Sequence, residues 1–276
     1  MMARALGIEM LTLMGMPPVE YVELAAELGC AEVSTGLFSL DLGMFGIDQP
    51  LWPAWSLRDD AVLLREVKAA MADTGVRIGL GEGFAVGPDR PPAACLPALD
   101  LMAELGAIRI NAICMDDGFV ESGAAGDAMA ALADHVIARG MRLTMEFFPP
   151  AGLNSLGRAL AVVEHVGRDK AQLLVDTMHL FRTGGTIEQV RALPPGSIGY
   201  VQVSDGILAP HDEGYFRTAM FGRAIPGEGE FPLADLIAVL DPDVTVSLEV
   251  PRLDDVRAGP AEHAARCVAA ARALGA

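Results

Sequence analysis

Lysine is nearly missing from this chain: of its 20 basic residues only Lys68 and Lys170 are lysines, against 37 acids and a formal charge of -17. That balance repels polyanions, so neither nucleic acid nor an acidic membrane surface is expected as a partner. Phosphate-bearing substrates are disfavoured too, although arginines or a helix N-terminus could stand in for lysine. No run of 18 or more uncharged apolar residues occurs, even though 52% of the chain is hydrophobic. A membrane span is therefore not expected. The early stretch GIEMLTLMGM is soon followed by Glu20 and Glu23 and reads as a first strand, not a signal segment. No Cys-x-x-Cys pair is present, and Cys30, Cys95, Cys114 and Cys267 stand far apart. They read as reduced, mostly buried thiols of a cytoplasmic protein. A Gly-x-Gly-x-x-Gly turn after the first strand is also missing, which removes the main support for a dinucleotide-binding sheet.

What is present is a steady alternation of short apolar runs with helical patterns, the mark of repeated βα units. Strands are expected at 5–11, 31–35, 76–80, 108–113, 142–147, 172–176, 198–203 and 244–249. Helices are expected near 17–29, 58–74, 93–105, 125–139, 154–167, 185–192, 231–240 and 260–274. Pro17-Pro18 opens the first helix and Gly29 closes it, Asn154 is placed to cap the fifth, and Gly75, Gly106 and Gly140 follow the second, third and fourth. The strands are continuous apolar runs such as QLLVD and VTVSLEV, as expected of a parallel sheet buried on both faces. Eight such units without a linker predict an α/β chain folded as a single (β/α)8 TIM barrel over residues 1–276.

Two βα loops are long. Residues 36–57 hold Phe38, Met44, Phe45, Trp52 and Trp55, and residues 204–230 hold His211, Tyr215, Phe216, Arg217, Arg223 and the turn Pro226-Gly227-Glu228-Gly229. Both fall on the C-terminal face of the strands, where barrel enzymes keep their active sites. The same face receives the ends of four consecutive strands: LTMEFFPP, LLVDTMHLF, GYVQVSDG and VSLEVP. These deliver Glu146, Asp176, Gln202 and Glu249 to one rim, with His179 three residues past Asp176. Burying such acids without a cation would cost several kcal/mol per charge, and carboxylate and amide oxygens suit a hard divalent metal.

These residues, in the order Glu, Asp-x-x-His, Gln-x-x-Asp, Arg-x-x-Pro-Gly-Glu-Gly, Glu, resemble the xylose-isomerase-like barrels. That superfamily holds sugar isomerases and epimerases, inosose dehydratases, 3-dehydroshikimate dehydratases and the endonuclease IV group. The resemblance implies a metal on Glu146, Asp176, Gln202 and Glu249, with Mn²⁺ or Mg²⁺ foremost and Co²⁺ or Zn²⁺ as alternatives. It implies Glu146 and Glu249 as the proton-moving pair on opposite faces of a substrate, with His179 as a donor or base. Arg223, Arg217, Trp52 and Phe148 are expected to contact substrate, and Asp205 to orient a ligand or a loop. The implied partner is a small molecule, and the assembly a homodimer or homotetramer.

The implied reaction is isomerisation or epimerisation beside a carbonyl of a sugar or sugar-like polyol, through a metal-stabilised enediolate. The alternative is a dehydratase of the 3-dehydroshikimate or inosose type, for which His179, Glu228 and Tyr215 are candidate acids. Gln202 stands where most sugar epimerases carry His, and Phe148 stands where the dehydroshikimate dehydratases carry His. A three-metal endonuclease centre would need more than the five histidines present. Trp52, Trp55, Phe84, Phe147, Phe148, Met178, Phe181 and Phe216 are expected to divide between core and cavity mouth. They predict a substrate with a flat or apolar portion, such as a cyclic polyol, cyclohexene acid or glycoside.

Overall fold

The computed structural model of the chain describes residues 4–210 and 213–276; His211 lies outside the described residues. Eight parallel strands close into a barrel in sequence order: β1 (Leu6–Ile8), β2 (Glu32–Thr35), β3 (Arg77–Val86), β4 (Arg109–Cys114), β5 (Arg142–Glu146), β6 (Ala171–Asp176), β7 (Ile198–Val203) and β8 (Thr245–Leu248). The register Leu6↔Val246, Gly7↔Ser247, Ile8↔Leu248 seals β1 against β8.

Local chemistry sets the helix ends. Asp60 accepts from the backbone N–H of Val62 and Leu63 to start Ala61–Thr74, and Gly75 stops it in the left-handed region at φ 77°. Helix Leu156–Val166 starts one residue later than expected, because Ser155 and not Asn154 caps it by accepting from Arg158 N–H. The two long loops carry helical structure of their own: a 3-10 turn at Leu42–Phe45 and a helix at Tyr215–Phe221.

Side chains on a strand alternate between its faces, and here the two sets carry different chemistry. Leu143 and Met145 on β5, Leu173 and Val175 on β6, Val201 and Val203 on β7, and Val246 and Leu248 on β8 are all buried in the main hydrophobic core. Each such side chain contributes about 1.5–3 kcal/mol of burial energy. The alternate set faces the barrel interior and is largely polar: Glu9, Asn111, Thr144, Asp176, Gln202, Ser247 and Glu249 are buried. Leu174, Tyr200 and Leu80 form a small separate apolar cluster among them. Hydrogen bonds cross the interior between strands that are not neighbours. Tyr200 on β7 donates to Glu9 Oε1 at 2.8 Å, and Gln202 Nε2 donates to Glu82 Oε1 on β3 at 3.3 Å.

The largest departure from the expected elements is β3, which continues to Val86 and does not stop at residue 80. Against β4 its register runs Gly81↔Ile110 and then Phe84↔Ala112, a bulge that spends an extra residue at Glu82-Gly83. Gly83 takes φ 93°, a conformation costly for any residue with a Cβ. Glu82 and Phe84, two residues apart on this extended strand, both line the same cavity.

Candidate metal and substrate site

Asp176 is the hinge of the site, because its two oxygens do different work. Oδ1 accepts from the backbone N–H of Met178 at 2.7 Å and His179 at 3.2 Å, capping the helix Thr177–Arg182 directly off the end of β6. That cap fixes where His179 points. Its Nε2 lies 3.3 Å from Glu146 Oε1 and 3.7 Å from Asp176 Oδ2, while Nδ1 meets the Tyr215 hydroxyl. One ligand atom from each of Glu146, Asp176 and His179 falls within 4.8 Å of the others, close enough to share an ion. Thr177 locks this corner to β7, its hydroxyl donating to Ser204 O at 2.7 Å and accepting from Ser204 N–H at 2.9 Å.

Glu249, just past the end of β8, joins through Arg223. The guanidinium Nη1 sits 2.5 Å from Asp176 Oδ2 and 3.0 Å from Glu249 Oε2, and Nε donates to Ala219 O at 2.8 Å. Arg223 is thus buried between two carboxylates and does not stand on the loop as a free fork. Burial alone favours the neutral form of Asp176, but Arg223 and His179 outweigh it and hold that carboxyl well below its ordinary range. At Glu249 burial prevails over Arg223 and pushes the carboxyl up.

Further acids lie beneath. Asn111 Nδ2 donates to Glu146 Oε2 at 2.7 Å and to Glu82 Oε2 at 3.1 Å, tying the two carboxylates together. Gln202 Nε2 donates to Glu9 Oε2 at 3.2 Å as well as to Glu82. Burial raises Glu82 well above the usual range, with Glu146 and Glu9 adding their charges. Burial raises Glu9 likewise, against the hydrogen bonds from Tyr200 and Gln202. Glu82, Asn111 and Glu9 were not among the expected site residues. The available signal was an acid or amide interrupting an apolar run, in GIEML, GEGFAV and RINAIC.

The residues present fit a hard divalent cation. Carboxylates of Glu146, Asp176 and Glu249 converge with more negative charge than Arg223 can offset. Gln202 Oε1 is buried with no hydrogen-bond partner among the described residues, as is Asn111 Oδ1. An unsatisfied buried acceptor costs about 1–3 kcal/mol, and a cation at this rim is a ligand that would use the Gln202 oxygen.

Above these groups is a cavity of about 220 Å³, lined by Glu82, Asn111, Glu146, His179, Arg223 and Glu249 on its polar side. Leu11, Phe84, Ile113, Phe148, Phe216 and Met220 supply its apolar side. The Phe148 ring lies 5.6 Å from the His179 ring. Phe45 of the first long loop packs on Phe216 at 5.7 Å and Phe221 at 5.4 Å, so the two long loops meet at the rim.

Other expected contacts lie elsewhere. Trp52 and Trp55 donate from Nε1 to Leu13 O at 2.9 Å and Gly15 O at 3.0 Å, which pins the loop to the chain after β1 and away from the cavity. Arg217 is exposed on the outer side of helix Tyr215–Phe221. Glu228 is held outside by Arg252 at 2.9 Å and Arg266 at 3.1 Å. Asp205 does not line the cavity. Its buried carboxylate accepts from Gly206, Gly227 and Phe231 N–H at 2.8, 2.8 and 3.0 Å, folding the loop that carries Arg223. Gly229 is required there, since a Cβ would stand 2.4 Å from Asp205 Oδ1. Of the eight expected aromatic and methionine side chains, Phe84, Phe148 and Phe216 reach the cavity. Phe147, Met178 and Phe181 are core.

Solved structures share this barrel. The IolI protein, crystallised with a zinc atom, superposes with TM-score 0.78 at 18% identity over 98% of this chain and 97% of that one. D-psicose 3-epimerase from Clostridium cellulolyticum H10, crystallised with D-tagatose, gives TM-score 0.69 at 14% identity over 98% and 99%. A xylose isomerase-like TIM barrel/4-hydroxyphenylpyruvate dioxygenase fusion protein gives TM-score 0.72 at 20% identity over 95% of this chain. The chain spans 42% of that fusion's length. No curated protein matches by sequence. The family model for the xylose isomerase-like TIM barrel matches residues 22–271, and the chain belongs to that family.

Proposed function

We propose that the chain is a divalent-metal-dependent isomerase or epimerase acting beside a carbonyl of a small hydroxy-carbonyl compound. The observation that carries this reading is the placing of Glu146, His179 and Glu249 on one cavity, with Asp176 beside them. A cation held by Glu146, Asp176, Glu249 and Gln202 Oε1 would polarise the carbonyl and stabilise the charge left when the neighbouring C–H proton departs. Glu146 and Glu249 come from β5 and from the end of β8, so each can reach a substrate from its own side to take or return a proton. Asn111 fixes the Glu146 carboxylate from below. His179 can donate from Nε2 to a substrate oxygen, with Tyr215 holding Nδ1. The apolar wall excludes water from the reacting carbon.

The same Tyr215–His179 pair favours a second reading, a dehydratase that protonates a departing hydroxyl. Incubation with candidate α-hydroxy ketones in D₂O and Mn²⁺ separates the two. Deuterium uptake at the carbon beside the carbonyl without other mass change is expected, and loss of 18 mass units would replace isomerase with dehydratase. Glu146→Gln should lower exchange by about 10²–10⁴-fold. Exchange that survives this substitution or needs no metal would sink the proposal.

A further inference from the structure

The cavity has one polar end and one hydrocarbon wall, and its charges are lopsided. Five buried or half-buried acids, Glu9, Glu82, Glu146, Asp176 and Glu249, surround its floor. The cation that answers them, Arg223, is already engaged by Asp176 and Glu249 within 3.0 Å. No lysine lines the cavity. A carboxylate or phosphate entering here would lie against Glu146 and beside Asp176, and Arg223, the arginine that lines the cavity, is already paired. On the opposite side Leu11, Phe84, Ile113, Phe148 and Met220 offer no hydrogen-bonding side chain. A sugar hydroxyl facing them would lose its water without replacement, which weakens binding by about tenfold for each one. The volume of about 220 Å³ is below the roughly 300–1,000 Å³ of ordinary ligand pockets. Its enclosed part has room for one ring or a short chain.

We infer that the substrate is a small neutral α-hydroxy ketone with a hydrocarbon flank, its vicinal oxygens toward Glu146 and His179 and its flank against Phe84, Ile113, Phe148 and Met220. This rests on the proposed carbonyl chemistry for the placing of the oxygens, but the charge and wall arguments stand without it. Of the substrate classes that the sequence suggests, it argues against the cyclohexene acid, by its charge, and the fully hydroxylated polyol, by its lack of a hydrocarbon flank.

Calorimetry on the full chain loaded with Mn²⁺ tests the inference through binding, with no turnover required. The probes are hydroxyacetone, 2-hydroxyacetophenone and the carboxylate-bearing 4-(hydroxyacetyl)benzoic acid, at neutral pH. The phenyl ketone should bind about tenfold or more tighter than hydroxyacetone, from apolar area removed from water. The carboxylate analogue should bind at least about tenfold more weakly than the phenyl ketone, from Coulomb repulsion in a low-dielectric site.

Phe148→Ala and Met220→Ala should erase the phenyl advantage, and melting curves with the parent's cooperativity show that the variants are folded. Equal affinities for the first two probes, tightest binding of the carboxylate, or no binding by any probe would overturn the inference. If the phenyl preference appears but no deuterium exchange occurs, the isomerase reading falls and the inference stands. If aldoses exchange deuterium and the phenyl preference is missing, the reverse holds.

Discussion

Arg223→Met is the sharpest perturbation available at this site. Methionine keeps much of the side-chain volume but removes the charge that lies 3.0 Å from Glu249 and closer still to Asp176. Both carboxylates stay buried, and breaking such a pair from one side costs about 3–5 kcal/mol. At about 2.1 cal/mol/K per residue the unfolding entropy of 276 residues is about 0.58 kcal/mol/K. The metal-free variant should then melt about 5–9 °C below the parent. Added Mn²⁺ should stabilise both proteins, by about 2.7 kcal/mol at a hundredfold excess over Kd. The gain should be larger in the variant, because the guanidinium no longer competes for the same oxygens. Calorimetric melts in chelator and in Mn²⁺ read both effects. A loss below about 1 kcal/mol in chelator, or an equal Mn²⁺ gain in the two proteins, would refute the view of Arg223 as an internal counter-ion.

Asp205→Asn should cost about 2–3 kcal/mol, since an amide NH₂ would oppose backbone N–H groups that the carboxylate now receives. Faster hydrogen exchange at Gly227 and Phe231 should accompany it, and unchanged exchange would show that the loop is held by something else. His263 lies buried outside the site and bonds through Nε2 to Val250 O at 2.8 Å. Burial lowers its pKa, so its stabilising contribution is full above the unfolded value near 6.5 and is lost as pH falls from there toward the native value. His263→Gln should therefore flatten the decline of the melting midpoint between pH 7.5 and 5.5. An unchanged slope would assign that decline to other groups.

The barrel was legible because apolar runs and capping residues recur with little interruption. β5 ends at Glu146, β6 at Asp176 and β7 at Val203, each within one residue of the expected end. β3 was expected to end at residue 80, and the bulge through which it runs on to Val86 is not visible in composition. With β3 cut short, Glu82 fell outside the expected rim. Arg223 was placed by its motif, yet its burial depends on Ala219 O and two distant carboxylates that sequence spacing does not bring together. Trp52 was expected at the cavity because loops on one face share a rim. It turned to Leu13 because the indole N–H found a backbone acceptor there.

The alternation along each strand has a consequence for how such a chain can change over generations. On β5 the folding instructions sit at Leu143 and Met145, and the chemical ones at Thr144 and Glu146. The two texts are interleaved but do not share letters. A substitution at Asn111, Gln202 or Glu82 rewrites what the interior can bind and leaves the helix-facing packing untouched. One scaffold can therefore change its ligand set without repacking its hydrocarbon layer, at the cost of the buried hydrogen bonds that each interior residue makes. Insertion of a single residue into β6 or β7 has no such freedom. It would turn the hydrocarbon text inward and the polar text outward together.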